Sequence, residues 1–286
     1  MYVVTGVTGH TGSVVAQALL DREQSVKVIV RTAKQGESWK QKGAEVAVCS
    51  LEDARSFAKA LEGATGAYLL VPPNYQTAHH VEDRRNLIDA VAVAVAQSRL
   101  PHVVFLSSIG AQLSDATGPI RVLHYGERRL AEVVRNLTIV RAPYFMENWM
   151  ATLGEVRAQG VLPSFLTPER KIPMVATRDI GLVAAECLLD QPKGRRILEL
   201  SGPQDYSPND VAVALSQRLE RRVQVRQFPL DAVVPALTSH GFSEDVARLF
   251  EEMYAGLEDG RIVFEGNGAC RPRGLVTLSE AVAGWL

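Results

Sequence analysis

Cysteine is scarce in this chain, and the few cysteines follow no metal or disulfide pattern. Cys49, Cys187 and Cys270 are far apart in the sequence, which excludes a CxxC-type metal site and a disulfide framework. The adjacent His79 and His80 would point to different faces of a helix and have no third ligand at a helpful spacing, so no metal is expected. This cysteine usage predicts a reduced, cytoplasmic compartment.

The chain also lacks an excess of charge of either sign. Its 31 Lys and Arg residues against 32 Asp and Glu residues give a formal net charge of −1, whereas a dedicated nucleic-acid surface normally shows a basic excess. No helix-turn-helix pattern is apparent either. We therefore expect no nucleic-acid partner.

Long hydrophobic runs are missing as well. The most apolar stretch, residues 90–96, is too short to span a bilayer and directly follows charged residues. It is better interpreted as part of a buried helix. The sequence opens on an apolar segment, residues 2–4, that is typical of a strand, so neither a signal peptide nor a membrane partner is expected.

What the chain does contain is a regular alternation of short apolar runs and helical patterns. This alternation is the signature of βαβ units around a parallel sheet, whose buried strands are mostly apolar throughout. The predicted strands are 1–5, 26–30, 45–49, 67–71, 102–106, 138–141 and 196–200. The predicted helices are 11–22, 53–61, 80–98, 123–135 and 179–190. The sequence therefore predicts an α/β protein with a Rossmann-type, doubly wound parallel sheet.

The alternation weakens after Pro143. A helix near 208–219, a strand near 222–228, a helix near 243–257 and a glycine-rich run over 256–274 follow. We predict a dinucleotide-binding Rossmann domain over residues 1–145 plus about 178–200, and a smaller C-terminal α/β substrate lobe over 146–177 and 201–286. Ligands of open α/β sheets bind at the carboxyl ends of the strands, so we expect the site in a cleft between the two parts.

A glycine motif separates the first predicted strand from the first helix. Residues 5–12 read Thr-Gly-Val-Thr-Gly-His-Thr-Gly. In such a motif Gly6 permits a tight turn, Gly9 lets the backbone approach a pyrophosphate, and Gly12 lets the helix pack close to the sheet. The helix N-terminus then offers free N–H groups and a partial positive charge to an anion. Dinucleotide binding is therefore the main functional prediction.

The second predicted strand ends in basic residues. An NAD-specific site has an acidic residue here to bind the ribose 2′-hydroxyl, but this chain has Arg31, with Lys34 close behind. A guanidinium suits a 2′-phosphate, and it also stacks on adenine. The pattern favours NADP(H), while NAD(H) stays open because stacking needs no phosphate.

Further motifs follow the later strands. They are Ser-Leu-Glu-Asp at 50–53, Val-Pro-Pro at 71–73, Phe-Leu-Ser-Ser at 105–108, Tyr-Phe-Met-Glu-Asn at 144–148 and Leu-Ser-Gly-Pro at 200–203. Together with the glycine motif, they resemble the NmrA-like group of atypical short-chain dehydrogenase/reductases over nearly the whole length. That group includes quinone reductases, other reductases of aromatic compounds, and proteins that bind a dinucleotide only to sense redox state.

The resemblance implies a set of cofactor contacts. It places the pyrophosphate at Gly6, Thr8, Gly9, His10, Thr11 and Gly12. It places the adenosine near Arg31, Lys34 and Leu51. It runs the cofactor over Val71, Pro72 and Pro73, and it flanks the nicotinamide with Ser107, Pro143, Tyr144 and Phe145.

The expected catalytic residues depart from the pattern of short-chain dehydrogenases, which use a proton-donating Tyr and a Lys four residues later. Two registers are open here, Tyr125 with Arg129 or His124 with Arg128. The second is preferred because Glu132 then falls where the group has a glutamate. An arginine can hold ribose hydroxyls but cannot exchange a proton. The candidate catalytic residues are His124, Tyr125 and Arg128, and Arg128 is also a candidate cofactor contact.

Three functions are compatible with these features. The first is an NAD(P)H-dependent oxidoreductase that transfers hydride to a quinone or another conjugated aromatic carbonyl compound, because positioning alone supplies much of the rate with such an acceptor. The second is a non-catalytic NAD(P)-binding redox sensor, which the missing lysine favours. The third is a tailoring oxidoreductase of aromatic natural products that acts with a partner. A small aromatic or quinone-like substrate is expected for an enzyme, and a protein partner or homodimer stays open.

Overall fold

The computed structural model describes residues 1–190, 192–266 and 269–286. The strands are β1 Tyr2–Val4, β2 Val26–Val30, β3 Glu45–Val48, β4 Gly66–Leu69, β5 His102–Ser108, β6 Asn136–Ala142, β7 Tyr144–Phe145, β8 Val161–Ser164, β9 Ile172–Val175, β10 Arg195–Glu199, β11 Asp205–Tyr206 and β12 Gln224–Gln227. The α-helices are α1 His10–Leu20, α2 Ala33–Gln41, α3 Ala54–Leu61, α4 His80–Ser98, α5 Arg121–Val133, α6 Leu153–Gln159, α7 Thr177–Asp190, α8 Pro208–Leu219, α9 Val233–Ser239, α10 Glu244–Glu258 and α11 Leu278–Ala283.

The main sheet is parallel, with the strand order β10-β6-β5-β4-β1-β2-β3. Tyr2 of β1 is in register with Val26 of β2 on one side and with Gly66 of β4 on the other. The chain therefore reverses its winding between β1 and β4, which opens a ligand crevice at their carboxyl ends. This architecture confirms the predicted α/β, doubly wound Rossmann fold.

Helices cover both faces of the main sheet. On one face α1 packs closely on α7, because Gly181 leaves room where a Cβ would come within 2.5 Å of the Val14 Cβ. On the other face α3, α4 and α5 bury a second apolar core that includes Phe57, Leu87 and Leu130. The apolar stretch 90–96 lies within α4. In residues 1–190, 192–266 and 269–286, no helix combines the length and apolarity that a membrane span requires.

The remaining elements form a smaller second part. They include a three-stranded sheet, β11-β9-β7, and a two-stranded sheet, β12-β8. Their core buries Met146, Trp149, Leu162 and Met174. The chain enters this part directly after β6, since β7 begins two residues beyond the end of the main-sheet strand. The predicted boundary at residue 145 thus falls at the end of β7, and the division into two domains stays a prediction.

The sequence pattern did not indicate α2. Only Gly36 and Trp39 of this helix are buried, so it lacks the repeating apolar stripe that identifies a helix. A capping box stabilises its start instead, in which the Gln35 side chain accepts from the backbone N–H of Thr32. The glycine-rich run 256–274 includes residues 267 and 268, which lie outside the described residues.

Candidate functional site

The glycine motif between β1 and α1 is packed so tightly that two of its glycines have no room for a side chain. Gly6 has a φ of 68°, and a Cβ there would lie 2.6 Å from the Leu70 Cδ2. A Cβ on Gly12 would lie 2.5 Å from the carbonyl oxygens of both Gly6 and Thr5. These glycines bring the N-terminus of α1 against the end of β1.

The outer side of the same motif is open. Thr8, Gly9 and His10 are exposed, and a Cβ on Gly9 would approach only the Gly6 carbonyl oxygen, at 3.4 Å. Gly9 is the N-cap of α1, and no side chain caps the helix. The first N–H groups of α1 therefore remain available to an anion, which is the arrangement that binds a pyrophosphate.

Thr11 supports the motif from within. Its Oγ1 accepts a hydrogen bond from the Tyr68 hydroxyl (2.9 Å), and the Thr5 hydroxyl donates to the Tyr68 carbonyl oxygen (3.0 Å). All three residues are buried, and burial raises the pKa of Tyr68. The Thr11 side chain thus ties α1 to β4, so a contact with the cofactor would use its backbone more readily than its hydroxyl.

Two cations lie where the adenosine is expected. Arg31 follows β2 directly, and Lys34 lies in the first turn of α2. Both are exposed, and neither has an acidic partner within salt-bridge distance in the described part of the chain. Leu51, after β3, is half-buried. Two unpaired cations beside the N-terminus of a helix form a suitable environment for a 2′-phosphate.

The loop after β4 is held by an arginine that the sequence pattern did not indicate. Arg84 of α4 is buried, and its Nη1 donates to the Pro72 carbonyl oxygen (3.1 Å). Its Nη2 lies 3.8 Å from Glu52. These contacts fix the path of Val71, Pro72 and Pro73 at the carboxyl end of β4. The charge of Arg84 within the predicted helix was the only sequence signal for this role. Which way its side chain points depends on how the helix packs.

The same loop is fastened to the second part of the molecule. The Tyr75 ring stacks on Phe242, with centroids 4.5 Å apart. The Ser243 N–H donates to the Tyr75 carbonyl oxygen, and the His80 N–H donates to Asp245, both at 2.8 Å. Burial lowers the pKa of His80. The two histidines at 79 and 80 thus begin α4 beside this contact.

A buried polar network fills the carboxyl ends of β5 and β6. The Ser107 hydroxyl donates to Glu127 Oε1 (2.6 Å), while Arg141 donates through Nε and Nη2 to the two Glu127 oxygens (2.9 and 2.7 Å). Arg141 Nη1 donates to Glu265 (2.5 Å). Burial opposes the charge of Arg141, but its hydrogen bonds to Glu127 and Glu265 and their charges raise its pKa. The hydroxyl of Ser107, which is predicted to lie beside the nicotinamide, therefore already donates its hydrogen bond to Glu127.

This network uses a different glutamate of α5 from the one on which the preferred register rests. Glu132 was expected to be the group's glutamate, but its side chain is 62% exposed and pairs with Arg129, whereas that of Glu127 is only 3% exposed. The sign that could have identified Glu127 is Arg141, a charge within an otherwise apolar strand that requires a buried partner.

Tyr125 lies on a different side of α5. Its hydroxyl donates to Asp89 of α4, whose carboxylate also accepts from Arg129 Nε (2.8 Å). Burial and the hydrogen bond to Asp89 raise the pKa of Tyr125. Proton donation by Tyr125 to the substrate stays a prediction, and its hydroxyl is directed here to a carboxylate on the neighbouring helix.

His124 and Arg128 face the outer edge of the sheet. They line a pocket of about 200 Å³ together with Arg195 of the edge strand β10. His124 Nδ1 lies 2.9 Å from the Ala111 carbonyl oxygen. In the strand order, β6, β5 and β4 separate β10 from β1. The contact of Arg128 with the cofactor and the catalytic role of both residues stay predictions.

Two tyrosine hydroxyls meet where the main sheet joins the second part. Tyr144 of β7, between Pro143 and Phe145, is hydrogen-bonded to Tyr254 of α10 and to Asn148. Burial raises the pKa of both tyrosines. These hydroxyls stay protonated across the working pH range. Sequence reasoning missed Tyr254, because nothing in a helix over a hundred residues away signals its approach to Tyr144.

Comparisons with known proteins agree with this architecture. The chain is 27% identical over 257 residues to an NAD(P)H azoreductase of Xenophilus azovorans, covering 89% of this chain and 86% of that protein. Its fold is shared with an NADPH-dependent quinone oxidoreductase of Escherichia coli solved with NADPH (TM-score 0.82, 20% identity, 99% of each chain) and with a triphenylmethane reductase of Citrobacter sp. solved with NADP(H) (TM-score 0.83, 18% identity, 100% of each chain). The model of the NmrA-like family matches residues 2–263. The chain belongs to the NmrA-like family.

Proposed function

We propose that this protein is an NAD(P)H-dependent oxidoreductase that transfers hydride to a quinone or another conjugated aromatic acceptor. The observation that carries the proposal is the glycine motif, which combines a packed inner side at Gly6 and Gly12 with free N–H groups in the first turn of α1. The azoreductase and the two reductases above support it, since each acts with a nicotinamide dinucleotide by its name or was solved with one.

NADPH is the proposed cofactor. The pyrophosphate would bind at the N-terminus of α1, and the 2′-phosphate would bind Arg31 and Lys34, which have no competing acidic partner in the described ranges. The nicotinamide end would extend past Val71 and Pro72 toward residues 143–145, which lie at the carboxyl end of β6. When bound, the cofactor supplies a hydride.

The proposed acceptor class follows from the acids that the site offers. Ser107 is bound to Glu127 and Tyr125 to Asp89, so neither is free to protonate an alkoxide. The hydroxyls of Tyr144 and Tyr254 have raised pKa values because they are buried, so they can donate hydrogen bonds but release a proton reluctantly. An electron-poor quinone suits such a site, since its reduced oxygens are phenolic and need no strong acid.

A second candidate is a redox sensor that binds the dinucleotide without turnover. The observation that favours it is the Ser107–Glu127–Arg141 network, in which the polar groups at the end of β5 bind one another. A sensor would bind NADPH and NADP⁺ with different affinities and would not oxidise NADPH in the presence of an acceptor.

The two candidates are separated by one set of titrations. The purified protein is titrated with NADPH and NADH by fluorescence, and quinones, azo dyes and triphenylmethane dyes are then added to the same samples. Oxidation of NADPH, followed by its absorbance, would support the enzyme. Tight binding without oxidation by any acceptor would refute the enzyme and support the sensor, and absence of binding would contradict both.

A further inference from the structure

The pocket at the edge of the sheet has its own set of polar groups. It is bounded by α5, by β6 and β10, and by the segments at Gln112 and Glu265. Its volume of about 200 Å³ equals that of roughly seven water molecules in the liquid. The glycine motif lies at β1, three strands further into the sheet, so the pocket is separate from the proposed pyrophosphate site.

The charges that line this pocket do not cancel. Arg141 pairs with Glu127 and Glu265, which bind three of its N–H groups, so these three residues carry one net negative charge. Arg128 and Arg195 are exposed and have no carboxylate within salt-bridge distance among the described residues. The three arginines and two glutamates of the lining leave one net positive charge, which favours an anion, and guanidinium binds planar or tetrahedral oxyanions through paired N–H groups.

The pocket also contains acceptors that lack a donor. The Gln112 side chain donates through Nε2 to the Val263 carbonyl oxygen (2.8 Å), while its Oε1 is buried without a partner. His124 Nδ1 faces the Ala111 carbonyl oxygen, so Nδ1 carries the hydrogen and Nε2 of the neutral ring is an acceptor. A ligand that satisfies this site needs anionic oxygens for the arginines and one O–H group for an acceptor.

We propose that this pocket binds a phosphate group that retains a proton, either as inorganic hydrogen phosphate or as a small phosphate monoester. Such a group has anionic oxygens for Arg128 and Arg195 and an O–H for Gln112 Oε1 or His124 Nε2. Sulfate has the same shape but carries no proton near neutral pH. The unpartnered acceptor therefore discriminates between the two anions.

The test is calorimetric titration of the whole protein with inorganic phosphate, in a zwitterionic buffer and with NADPH at saturation. We expect a Kd below about 1 mM, with sulfate at least tenfold weaker. Arg128→Gln and Arg195→Gln should each weaken phosphate by about tenfold or more, since each removes a charged hydrogen bond. Arg135→Gln, an exposed arginine outside the pocket, should leave the Kd unchanged. Gln112→Met or His124→Phe, whichever removes the acceptor of the O–H, should abolish the preference for phosphate over sulfate, and a preference that survives in both variants would contradict the proposal.

Phenyl phosphate, titrated at pH 6 where a monoester is partly protonated, distinguishes the two sources. Tighter binding than inorganic phosphate assigns the site to a monoester, and weaker binding assigns it to free phosphate. Equal binding of sulfate and phosphate, or a Kd insensitive to both arginine substitutions, would mean an adventitious ion only. Loss of binding in Arg31→Gln instead would place the anion at the cofactor site and overturn the proposal. No readout depends on turnover, so failure of the proposed enzyme function would leave this test intact.

Discussion

The carboxyl ends of β1 and β5 lie in one sheet with only β4 between them, yet they treat their polar groups differently. At β1 the N–H groups that begin α1 have no side-chain cap and are open. At β5 the Ser107 hydroxyl, the Glu127 carboxylate and the Arg141 guanidinium bind one another in a buried network. The difference teaches that a polar residue at the right end of a strand is useful to a ligand only when the protein leaves it unsatisfied.

The largest expected effect tests the β5 end. Glu127→Ala should lower the free energy of unfolding by roughly 3–5 kcal/mol, because it leaves the buried Arg141 without its main partner. Glu132→Ala is the control on the same helix, and its exposed pair with Arg129 should contribute about 1 kcal/mol or less. Urea unfolding measures both. Similar losses for the two variants would mean that the network is not structural.

The next effect tests the β1 end. Gly12→Ala should weaken NADPH binding on the order of 100-fold and lower the Tm, because its Cβ meets two backbone carbonyl oxygens. Gly9→Ala should weaken binding while leaving the Tm of the free protein unchanged, since its Cβ would make only an ordinary van der Waals contact with the Gly6 carbonyl oxygen. Gly154→Ala, whose Cβ would meet no atom within 4 Å, is the control. A Tm loss in Gly9→Ala equal to that in Gly12→Ala would contradict the division into inner and outer sides.

A smaller effect tests Arg31, the unpaired cation that follows β2. Arg31→Gln should weaken NADPH by about 10- to 100-fold, as expected for loss of a charged hydrogen bond to a phosphate, and leave NADH nearly unchanged. Lys40→Gln, on the exposed side of α2, should alter neither affinity. Fluorescence titration gives both constants. Equal weakening of the two cofactors would assign Arg31 to adenine stacking instead.

The smallest expected effect concerns the Tyr125 hydroxyl, which is hydrogen-bonded to Asp89. Tyr125→Phe should leave kcat and KM within about twofold and cost about 1 kcal/mol of stability through the lost bond to Asp89. A proton-donating tyrosine would instead contribute at least about 100-fold to kcat. Steady-state assays with the best acceptor decide between the two, and a large fall in kcat would return Tyr125 to the catalytic machinery.

Much of the main sheet follows from local sequence, because each buried strand carries its own apolar run and the glycine motif lies directly between β1 and α1. The orientation of the α5 side chains cannot be predicted from local sequence in the same way. Residues 124–132 contain His, Tyr, Glu and Arg at spacings that fit two registers, and the helix rotation is set by the packing of Gly126 against Phe105. That contact joins residues of two different elements, so the pattern alone could not show where Tyr125 and Arg128 point.

The second part was less predictable for a related reason. Its strands β7 and β11 have only two residues each, which is too short for any periodicity to appear. The hydrogen bond between Tyr144 and Tyr254 depends on where α10 packs relative to the main sheet. Sequence patterns predict the individual helices and strands, whereas the contacts between distant elements are known only from the structure.

The segment after α10 has a further consequence for the outer edge of the main sheet. The Glu199 N–H donates to the Cys270 carbonyl oxygen (2.9 Å), the Ser201 N–H donates to that of Pro272 (3.1 Å), and the Glu199 carboxylate accepts from Arg271 (3.0 Å). An uncovered edge strand is a template on which other chains add strands and aggregate. The C-terminal segment already pairs with the end of β10. Removing it would expose these backbone groups and make the edge prone to aggregation.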